Sequence, residues 1–200
     1  MKAPARTYTM RARAEAVEAT RERIARAAMQ RFLAEPYHDV TIASVARDAG
    51  VSHQTLLNHF ESKDGLFAAA AERFSADLAA SREDRATSDP ESVVALLMEQ
   101  FERSGDGNVR LALLHERIEA VRAGLEQGRA NHQGWLAEVL EDRLPSDPAE
   151  RRRTLAALHA ATDVYTWKLL RRDLGHGRRA SQRIMTDMVR AILYTTRKEP

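Results

Sequence analysis

The segment from Thr41 to Phe60 reads TIASVARDAGVSHQTLLNHF and has the spacing of two short helices joined by a tight turn. Thr41 and Ser52 are residue types that cap helix N-termini, because a hydroxyl can accept a hydrogen bond from an unpaired backbone amide. Gly50 supplies the positive φ angle that the turn needs. Ala46 leaves room for the two helices to cross closely. The segment therefore predicts a helix-turn-helix.

The second helix of this motif is predicted to have two different faces. Apolar residues such as Leu56 are expected to face the core with Val45 from the first helix. The other face presents hydrogen-bonding side chains that are short enough to reach base edges in the major groove of DNA. It lacks the Glu and Lys that are typical of a solvated helix surface, which favours DNA recognition over a plain helical hairpin. The residues expected on this face are His53, Gln54, Thr55, Asn58 and His59.

The longer run TIASVARDAGVSHQTLLNHFESKDGLF resembles the DNA-binding domain of the TetR family of repressors. Its pattern GVS…TLxxHF…SKxxLF is more specific than a generic helix-turn-helix, and the similarity extends from Arg21 to Leu66. The resemblance implies an all-α fold, with a three-helix DNA-binding domain followed by a helical effector-binding and dimerisation domain. It implies a homodimeric repressor that binds a palindromic double-stranded DNA operator and is released by a small, largely apolar effector.

The same resemblance implies individual DNA contacts. Thr41 would cap the first helix of the motif against a phosphate, and His59 would contact the DNA backbone. Lys63 begins the next helix, where the helix dipole and the ammonium group both favour a phosphate. Many family members carry Tyr at the position of Leu57, where the phenol usually touches phosphate, so that this contact is either lost or replaced by apolar packing. The residues implied to face bases or the nearby backbone are Ser52, His53, Gln54, Thr55 and Asn58.

Helical periodicity continues over the rest of the chain, and the sequence shows no strand pattern above noise. We expect a flexible basic arm over residues 1–15, the helix-turn-helix domain over 16–62 and the helical effector-binding and dimerisation domain over 63–200. The bases of the arm, Arg6, Arg11 and Arg13, suit either DNA contact or a solubilising tail. The glycines between residues 105 and 134 are expected to interrupt helices, whereas residues 149–174 are expected to form one long helix.

The last helix, expected over residues 179–196, predicts the dimer interface. Ile184, Met188 and Ile192 form one apolar row with a four-residue repeat, and a second row lies beside it. Together the rows are wider than one core contact needs. Small residues in the preceding helix allow close helix packing, so that two helices from each subunit would form a four-helix interface. A monomeric bundle is the alternative. The second row consists of Met185, Val189 and Leu193.

Apolar and aromatic residues of the second domain are candidates for lining an effector pocket, with ordinary core packing as the alternative for each. Two pairs at i, i+4 spacing, His115 with Glu119 and His159 with Asp163, suit a metal site or an ion pair equally well. We expect neither a metal nor another cofactor. The effector-lining candidates are Met98, Phe101, Leu114, Trp135, Tyr165 and Trp167.

Composition limits the class of protein. The 200 residues include no cysteine, which excludes disulfides and thiolate metal sites. No apolar run approaches the ~20 residues that span a bilayer, and the N-terminus lacks the apolar core of a signal peptide, so that we expect a cytoplasmic protein with no membrane partner. The net charge is only +2, and the prediction of DNA binding therefore depends on the motif. Two other functions are alternatives to an effector-responsive repressor: an effector-independent DNA-binding protein and a helical-bundle enzyme. The enzyme is disfavoured because the chain has no nucleophile elbow and no phosphate-binding glycine loop.

Overall fold

The structure is a computed structural model that describes residues 5–83, 85 and 87–195. Over these residues the fold is all-helical, with two compact units that comprise residues 1–76 and 77–200. The boundary between the units was expected before residue 63, at the start of a helix. The boundary between the two compact units falls within that helix, and the predicted domain bounds stay a prediction. The helices of the first unit are α1 (Ala5–Ala34), α2 (Ile42–Asp48), α3 (His53–His59) and the beginning of α4 (Lys63–Glu83).

The core of the first unit forms around the apolar stripe of α1. Ile24 and Phe32 are fully buried, as the i, i+4, i+8 spacing of this helix predicts. The Phe32 ring lies 5.0 Å from the ring centroids of both Tyr37 and Phe67. Because Tyr37 follows α1 directly and Phe67 lies in the first turns of α4, these aromatic contacts fix how the two longer helices enclose α2 and α3.

The expected flexible arm is corrected by the structure. Helix α1 begins at Ala5, so residues 5–15 are helical, and Met1–Pro4 lie outside the described residues. Arg6, Arg11 and Arg13 all belong to α1. Residues 10–19 are exposed, and an i, i+4 ion pair of 3.0 Å joins Arg11 to Glu15. This segment lacks an apolar stripe, which is why periodicity alone missed it; its Ala, Arg and Glu content nevertheless favours a helix.

The second unit is a bundle in which α5 packs against α8 and α9, and α7 packs against α6 and α9. Its core contains fully buried side chains from each of these layers, among them Leu97, Leu136, Leu158 and Met185. A short 3₁₀ turn precedes α7, and a π-helical turn follows α8. The elements are α5 (Pro90–Ala112), α6 (Glu119–Val139), the 3₁₀ turn Glu141–Arg143, α7 (Pro148–Thr162), α8 (Val164–Lys168), the π turn Leu169–Asp173 and α9 (Arg178–Thr195).

The glycines of this unit do not break its helices where breaks were expected. Helix α5 runs without interruption through Gly105 and Gly107, and α6 runs through Gly134. A Cβ atom on Gly105 would lie 2.5 Å from the Trp167 ring. The glycine is therefore needed for the close approach of the indole and does not end the helix. The actual turn between α5 and α6 is the segment from Leu113 to Ile118.

The long helix expected over residues 149–174 is broken at Asp163. This residue has extended backbone (ψ 153°), and its carboxylate accepts a hydrogen bond of 2.8 Å from the Tyr165 amide, which starts α8 as a new helix. Asp is a strong N-cap, and its side chain competes with the helical backbone. The predicted end of the segment is confirmed, since Gly175 has a φ of +70°.

Candidate functional site

The helix-turn-helix forms as the sequence predicts, with both helices capped and the turn made by glycine. The Thr41 hydroxyl accepts from the Ser44 amide at 3.1 Å in a reciprocal capping box. The Ser52 hydroxyl accepts from the Thr55 amide at 3.0 Å and starts α3. Gly50 has a φ of +64°. These local interactions fix where α3 begins and how it is turned relative to α2.

Two arginines of α1 donate hydrogen bonds to the C-terminal ends of α2 and α3. Arg23 Nε donates to the Ala49 carbonyl at the C-terminal end of α2 at 3.0 Å. Arg21 donates to the His59 carbonyl at the end of α3 at 3.1 Å, and its guanidinium lies 4.6 Å from the Phe60 ring centroid. Cations at helix C-termini satisfy unpaired carbonyls and oppose the helix dipole. Part of the basic charge of α1 thus has a structural role, which no sequence signal had indicated.

The outward face of α3 carries hydrogen-bonding side chains together with Leu57, and it has no Asp, Glu, Lys or Arg. His53, Gln54 and Asn58 are exposed. Gln54 Nε2 donates to Asn58 Oδ1 at 3.1 Å, which holds the two amides side by side on the face. Amide side chains can form paired hydrogen bonds with the N6 and N7 atoms of adenine. The face therefore offers two adjacent groups that are suited to reading bases.

Other side chains that were predicted to contact DNA already make contacts within the protein. The Thr55 hydroxyl lies 2.8 Å from the Ser52 hydroxyl, within the cap of α3, and Thr55 and His59 are half-buried. Lys63 Nζ donates to the His38 carbonyl at 3.3 Å and lies 4.6 Å from the Tyr37 ring centroid. Burial lowers the pKa of Lys63. The individual DNA contacts of these residues stay predictions. The Lys63 ammonium has three donors, so it could bind a phosphate and keep its hydrogen bond to the His38 carbonyl.

Leu57 lies on the outward face of α3 and is 36% exposed. An isobutyl side chain cannot donate a hydrogen bond, so that this position can offer DNA only apolar contact, such as with a sugar or a thymine methyl group. The face thus joins one apolar residue to the neighbouring amides Gln54 and Asn58. Sequence reasoning identified this departure from the usual Tyr, and the structure shows that the leucine side chain is not withdrawn into the core.

The candidate effector-lining residues differ in their burial. Met98, Phe101 and Trp167 are buried members of the main core cluster, where ordinary packing accounts for them. Tyr165 is exposed, whereas Leu114 and Trp135 are half-buried. Gly134 beside Trp135 is helical, so the expected flexible backbone at this position is absent. The role of these residues in effector binding stays a prediction.

A polar cluster that sequence reasoning missed lies where α4 to α7 meet around Trp135. The Arg82 guanidinium stacks 4.3 Å from the Trp135 ring centroid and donates to the Gln100 side chain. His132 Nε2 lies 2.9 Å from the Thr162 hydroxyl. The His132 and His159 rings are 5.0 Å apart. Nothing in the sequence distinguishes Arg82 from a surface arginine of a helix, and its role depends entirely on the packing of other helices.

Burial governs the charges in this cluster. It lowers the pKa of Arg82 to about 10 and, together with the positive charge of Arg82, lowers the pKa of His132 to about 3. At neutral pH Arg82 is therefore a buried cation and His132 is uncharged. Asp163 has a lowered pKa despite its burial, because His159 and the Tyr165 amide donate hydrogen bonds to it.

Of the two histidine pairs considered for metal binding, one forms and one does not. His159 Nε2 lies 3.3 Å from Asp163 Oδ2. His115 lies in the turn after α5, where its Nδ1 is 2.8 Å from the Ala112 carbonyl, and Glu119 pairs with Arg122 instead. Within residues 5–83, 85 and 87–195, no group of three or more His, Asp or Glu side chains could hold a metal ion. In the same part of the chain no helix has the length and apolar character needed to span a bilayer.

The capped helix-turn-helix, with a polar face exposed on its second helix, defines a DNA-binding protein with a separate helical unit. Residues 24–70 match the sequence profile described as bacterial regulatory proteins, tetR family. No curated protein matches the sequence significantly.

Solved structures share the fold over most of the chain. A TetR-family transcriptional regulator from Streptomyces coelicolor has 19% identity and a TM-score of 0.68, covering 90% of this chain and 85% of its own. A transcriptional regulator from Rhodococcus sp. Rha1 has 20% identity and a TM-score of 0.68, with coverage of 90% and 99%. A TetR-family protein from Mesorhizobium loti has 15% identity and a TM-score of 0.67, with coverage of 90% and 97%. Residues 24–70 therefore match the DNA-binding segment of the tetR family, and the fold as a whole is similar to that of these solved regulators.

Proposed function

We propose that this regulator is a homodimeric repressor that binds a palindromic operator and is released from it by a small molecule bound in the second unit. The observation that carries the proposal is the outward face of α3, where His53, Gln54 and Asn58 are exposed on a helix fixed at both ends. A rigid helix with short hydrogen-bonding side chains is suited to the major groove. Because an operator lies on the chromosome, we expect the protein to act in the bacterial cytoplasm.

Apolar residues left on the surface of α9 support the dimer. Met185 and Val189 are buried within the subunit, as expected for one of the two rows. In the other row Met188 is 38% exposed and Ile184 and Ile192 are half-buried. The row is therefore partly exposed, with Met188 at its centre, and a patch of this kind suits a self-complementary contact with the same helix of a second subunit. A two-fold dimer presents two copies of α3, and its operator should therefore have two related half-sites.

Helix α4 supports the coupling between effector and DNA. It begins at Lys63, three residues after Phe60 at the end of α3, and continues to Glu83. A change at its C-terminal end would be transmitted along a continuous helix to the DNA-binding unit. Two half-sites on a duplex demand a fixed separation of the two α3 helices, so that an effector needs only to favour a separation that B-DNA cannot match.

The DNA-binding role is tested with an operator that the protein selects from random double-stranded DNA. Asn58→Ala should relax base preference at one position in each half-site, at a cost of about 1–3 kcal/mol against the preferred base. Lys63→Ala should weaken selected and random DNA alike and reduce the salt dependence by roughly one phosphate charge per subunit. Equal effects of both substitutions on selected and random DNA would contradict these roles.

A further inference from the structure

The second unit contains a buried positive charge that DNA recognition does not use. Arg82 is 9% exposed, and its guanidinium stacks on Trp135 and donates to Gln100. Within the part of the chain that the structure describes, no carboxylate forms an ion pair with it. Buried arginines are ordinarily paired with a carboxylate, because an uncompensated charge in the interior is destabilising. The absence of a carboxylate beside Arg82 among the described residues is the observation from which the inference starts.

The neighbouring groups do not neutralise Arg82. The Thr162 hydroxyl donates to the Leu158 carbonyl at 2.7 Å, so its oxygen accepts from His132 Nε2 at 2.9 Å. His132 therefore carries a proton on Nε2, and the lowering of its pKa to about 3 by burial keeps the ring uncharged at neutral pH. The carboxylate of the cluster, Asp163, accepts from the Tyr165 amide and from His159. Its hydrogen bonds are directed to α7 and α8 and do not reach Arg82.

We propose that Arg82 and Trp135 anchor the effector, and that the effector is an organic acid with a carboxylate on an aromatic or apolar body. The guanidinium fork matches the two oxygens of a carboxylate. Trp135 is half-buried and packs against the main core cluster together with Val139, which leaves apolar surface beside the charge. The inference rests on the proposed function and adds an anionic group to the largely apolar effector that the sequence predicts.

The position of Arg82 also connects this site to regulation. It lies in the last turn of α4, whereas Gln100 and Trp135 belong to α5 and α6. A carboxylate that binds Arg82 would change the balance of contacts between the end of α4 and these two helices. Helix α4 is the same helix that begins next to α3, and the ligand would thereby act on the element that carries the DNA-binding unit.

Binding is tested on the free, full-length protein with benzoate, its uncharged analogue benzamide, and inorganic phosphate as probes. We expect benzoate to raise the melting temperature and to shift the indole N–H resonance of Trp135, with much weaker responses to benzamide and phosphate. Arg82→Met should raise the dissociation constant for benzoate about tenfold or more, as expected for the loss of a charge-assisted hydrogen bond. Arg85→Met is the matched control, because Arg85 follows Arg82 closely but is exposed and pairs with Glu99.

The unliganded variant provides a second readout. Since Arg82→Met removes a buried charge and keeps most of the side-chain volume, its melting temperature without ligand should equal or exceed that of the wild type. If the variant fails to fold, Arg82→Lys, which keeps the charge but loses the fork, should still show weakened benzoate binding. The inference is overturned if benzamide or phosphate binds as well as benzoate, if benzoate binds Arg82→Met as tightly as wild type, or if benzoate at millimolar concentration leaves the wild type unchanged. Release of the selected operator by uncharged compounds alone would overturn the inference and leave the repressor proposal intact.

Discussion

The contact between Gly105 and Trp167 shows how a glycine allows close packing in the second unit. The indole of Trp167 is fully buried against α5, and its Nε1 donates to Glu102 at 3.1 Å. A Cβ atom at position 105 would lie 2.5 to 2.8 Å from three atoms of the indole ring. Gly105→Ala should therefore destabilise the protein by about 1–3 kcal/mol, which is typical of overpacking.

Denaturant unfolding of Gly105→Ala against wild type measures this effect, and Gly128→Ala is the matched control. Gly128 also lies within a helix, but no atom lies within 4 Å of the position of its Cβ. Alanine there should stabilise by about 0.5–1 kcal/mol, because it restricts the unfolded chain and favours the helix. If both variants changed stability in the same direction, the role given to the Trp167 contact would be wrong.

Glu102 predicts an acid-dependent contribution to stability. Arg171 donates to both of its carboxylate oxygens, at 2.6 and 2.9 Å, and together with Trp167 lowers the pKa of Glu102 to about 2, against 4.5 for an unperturbed Glu. Because the folded-state pKa is the lower one, the unfolded chain binds this proton first as the pH falls. The stabilisation is complete above about pH 5.5 and is lost progressively as the pH falls from about 4.5 to about 2.

The difference in unfolding free energy between wild type and Glu102→Gln is the quantity to measure. It should be constant between about pH 6 and 8 and should shrink below about pH 4.5. Other acid-titrating groups cancel in this difference because both proteins contain them. Glu138→Gln, which alters an exposed carboxylate of α6, should leave stability almost unchanged. A difference for Glu102→Gln that grows as the pH falls would contradict the ion-pair explanation.

Between elements, the turn from α2 to α3 requires a residue with a positive φ angle. Gly50 has a φ of +64°, and no neighbouring atom lies within 4 Å of the place that a Cβ would take, so that any cost of substitution comes from the backbone. Gly50→Ala should destabilise the first unit by about 1–2 kcal/mol. Gly50→Asn should cost less, because Asn tolerates this region better.

Thermal unfolding of the three proteins distinguishes this conformational cost from a steric one. Asparagine is bulkier than alanine. A smaller loss of stability in Gly50→Asn than in Gly50→Ala is therefore expected only if the φ angle determines the cost of substitution. DNA affinity should follow the same order, since the turn sets the direction of α3 relative to α2. Equal loss of stability in Gly50→Ala and Gly50→Asn would show that the space around the turn, rather than its backbone angle, is limiting.

The sequence predicted those elements whose signal is local. The caps at Thr41 and Ser52 and the turn at Gly50 are determined by neighbouring residues, and the buried stripe of α1 follows from its spacing. The break at Asp163 was missed because an apolar period continues across it, although an Asp after Thr is a plausible cap. In α5 the helix continues through Gly105 because of a tryptophan 62 residues later in the chain, which local patterns do not reveal.

The two candidate sites also differ in whether local sequence or tertiary packing determines them. The exposed face of α3 follows from one short segment, and its residues could be named from the sequence. The cluster around Arg82 brings together residues of α4, α5, α6 and α7. Each of them alone is typical of a helix surface or core, and only the tertiary packing shows that the arginine is buried. Sequence reasoning therefore named Trp135 as one of the effector-lining candidates but could not assign the charge beside it.

For the assembled protein, the proposed dimer explains why α9 has apolar residues beyond those its own subunit covers. Met185, Val189 and Leu193 are buried within the subunit, whereas Met188 is 38% exposed and is flanked by the half-buried Ile184. An isolated exposed methionine needs no partner, but a row at helical spacing forms a continuous surface. In a two-fold arrangement this row would meet its own copy, since the same patch is used by both subunits.

Met188→Arg should therefore convert the protein to monomers without unfolding it. The arginine would be desolvated and unpaired in the dimer but free in the monomer, where this position is partly exposed. We expect the dimer dissociation constant to rise by at least about a hundredfold, as light scattering over a range of micromolar concentrations would show. Because one subunit carries only one α3, the monomer should also bind an isolated half-site and a full palindrome with nearly equal affinity.

The control is Arg183→Glu, which reverses a charge at an exposed position of the same helix, away from the row of Met188. It should leave the dimer intact, because its change in charge lies in water. Helical circular dichroism must be unchanged in both variants, so that a monomer reflects a lost interface and not a lost fold. A wild type that is already monomeric at micromolar concentration, or a dimeric Met188→Arg, would place the interface elsewhere. Binding to a palindromic operator would then require a dimer formed through another surface, because only a dimer presents two α3 helices at a fixed separation.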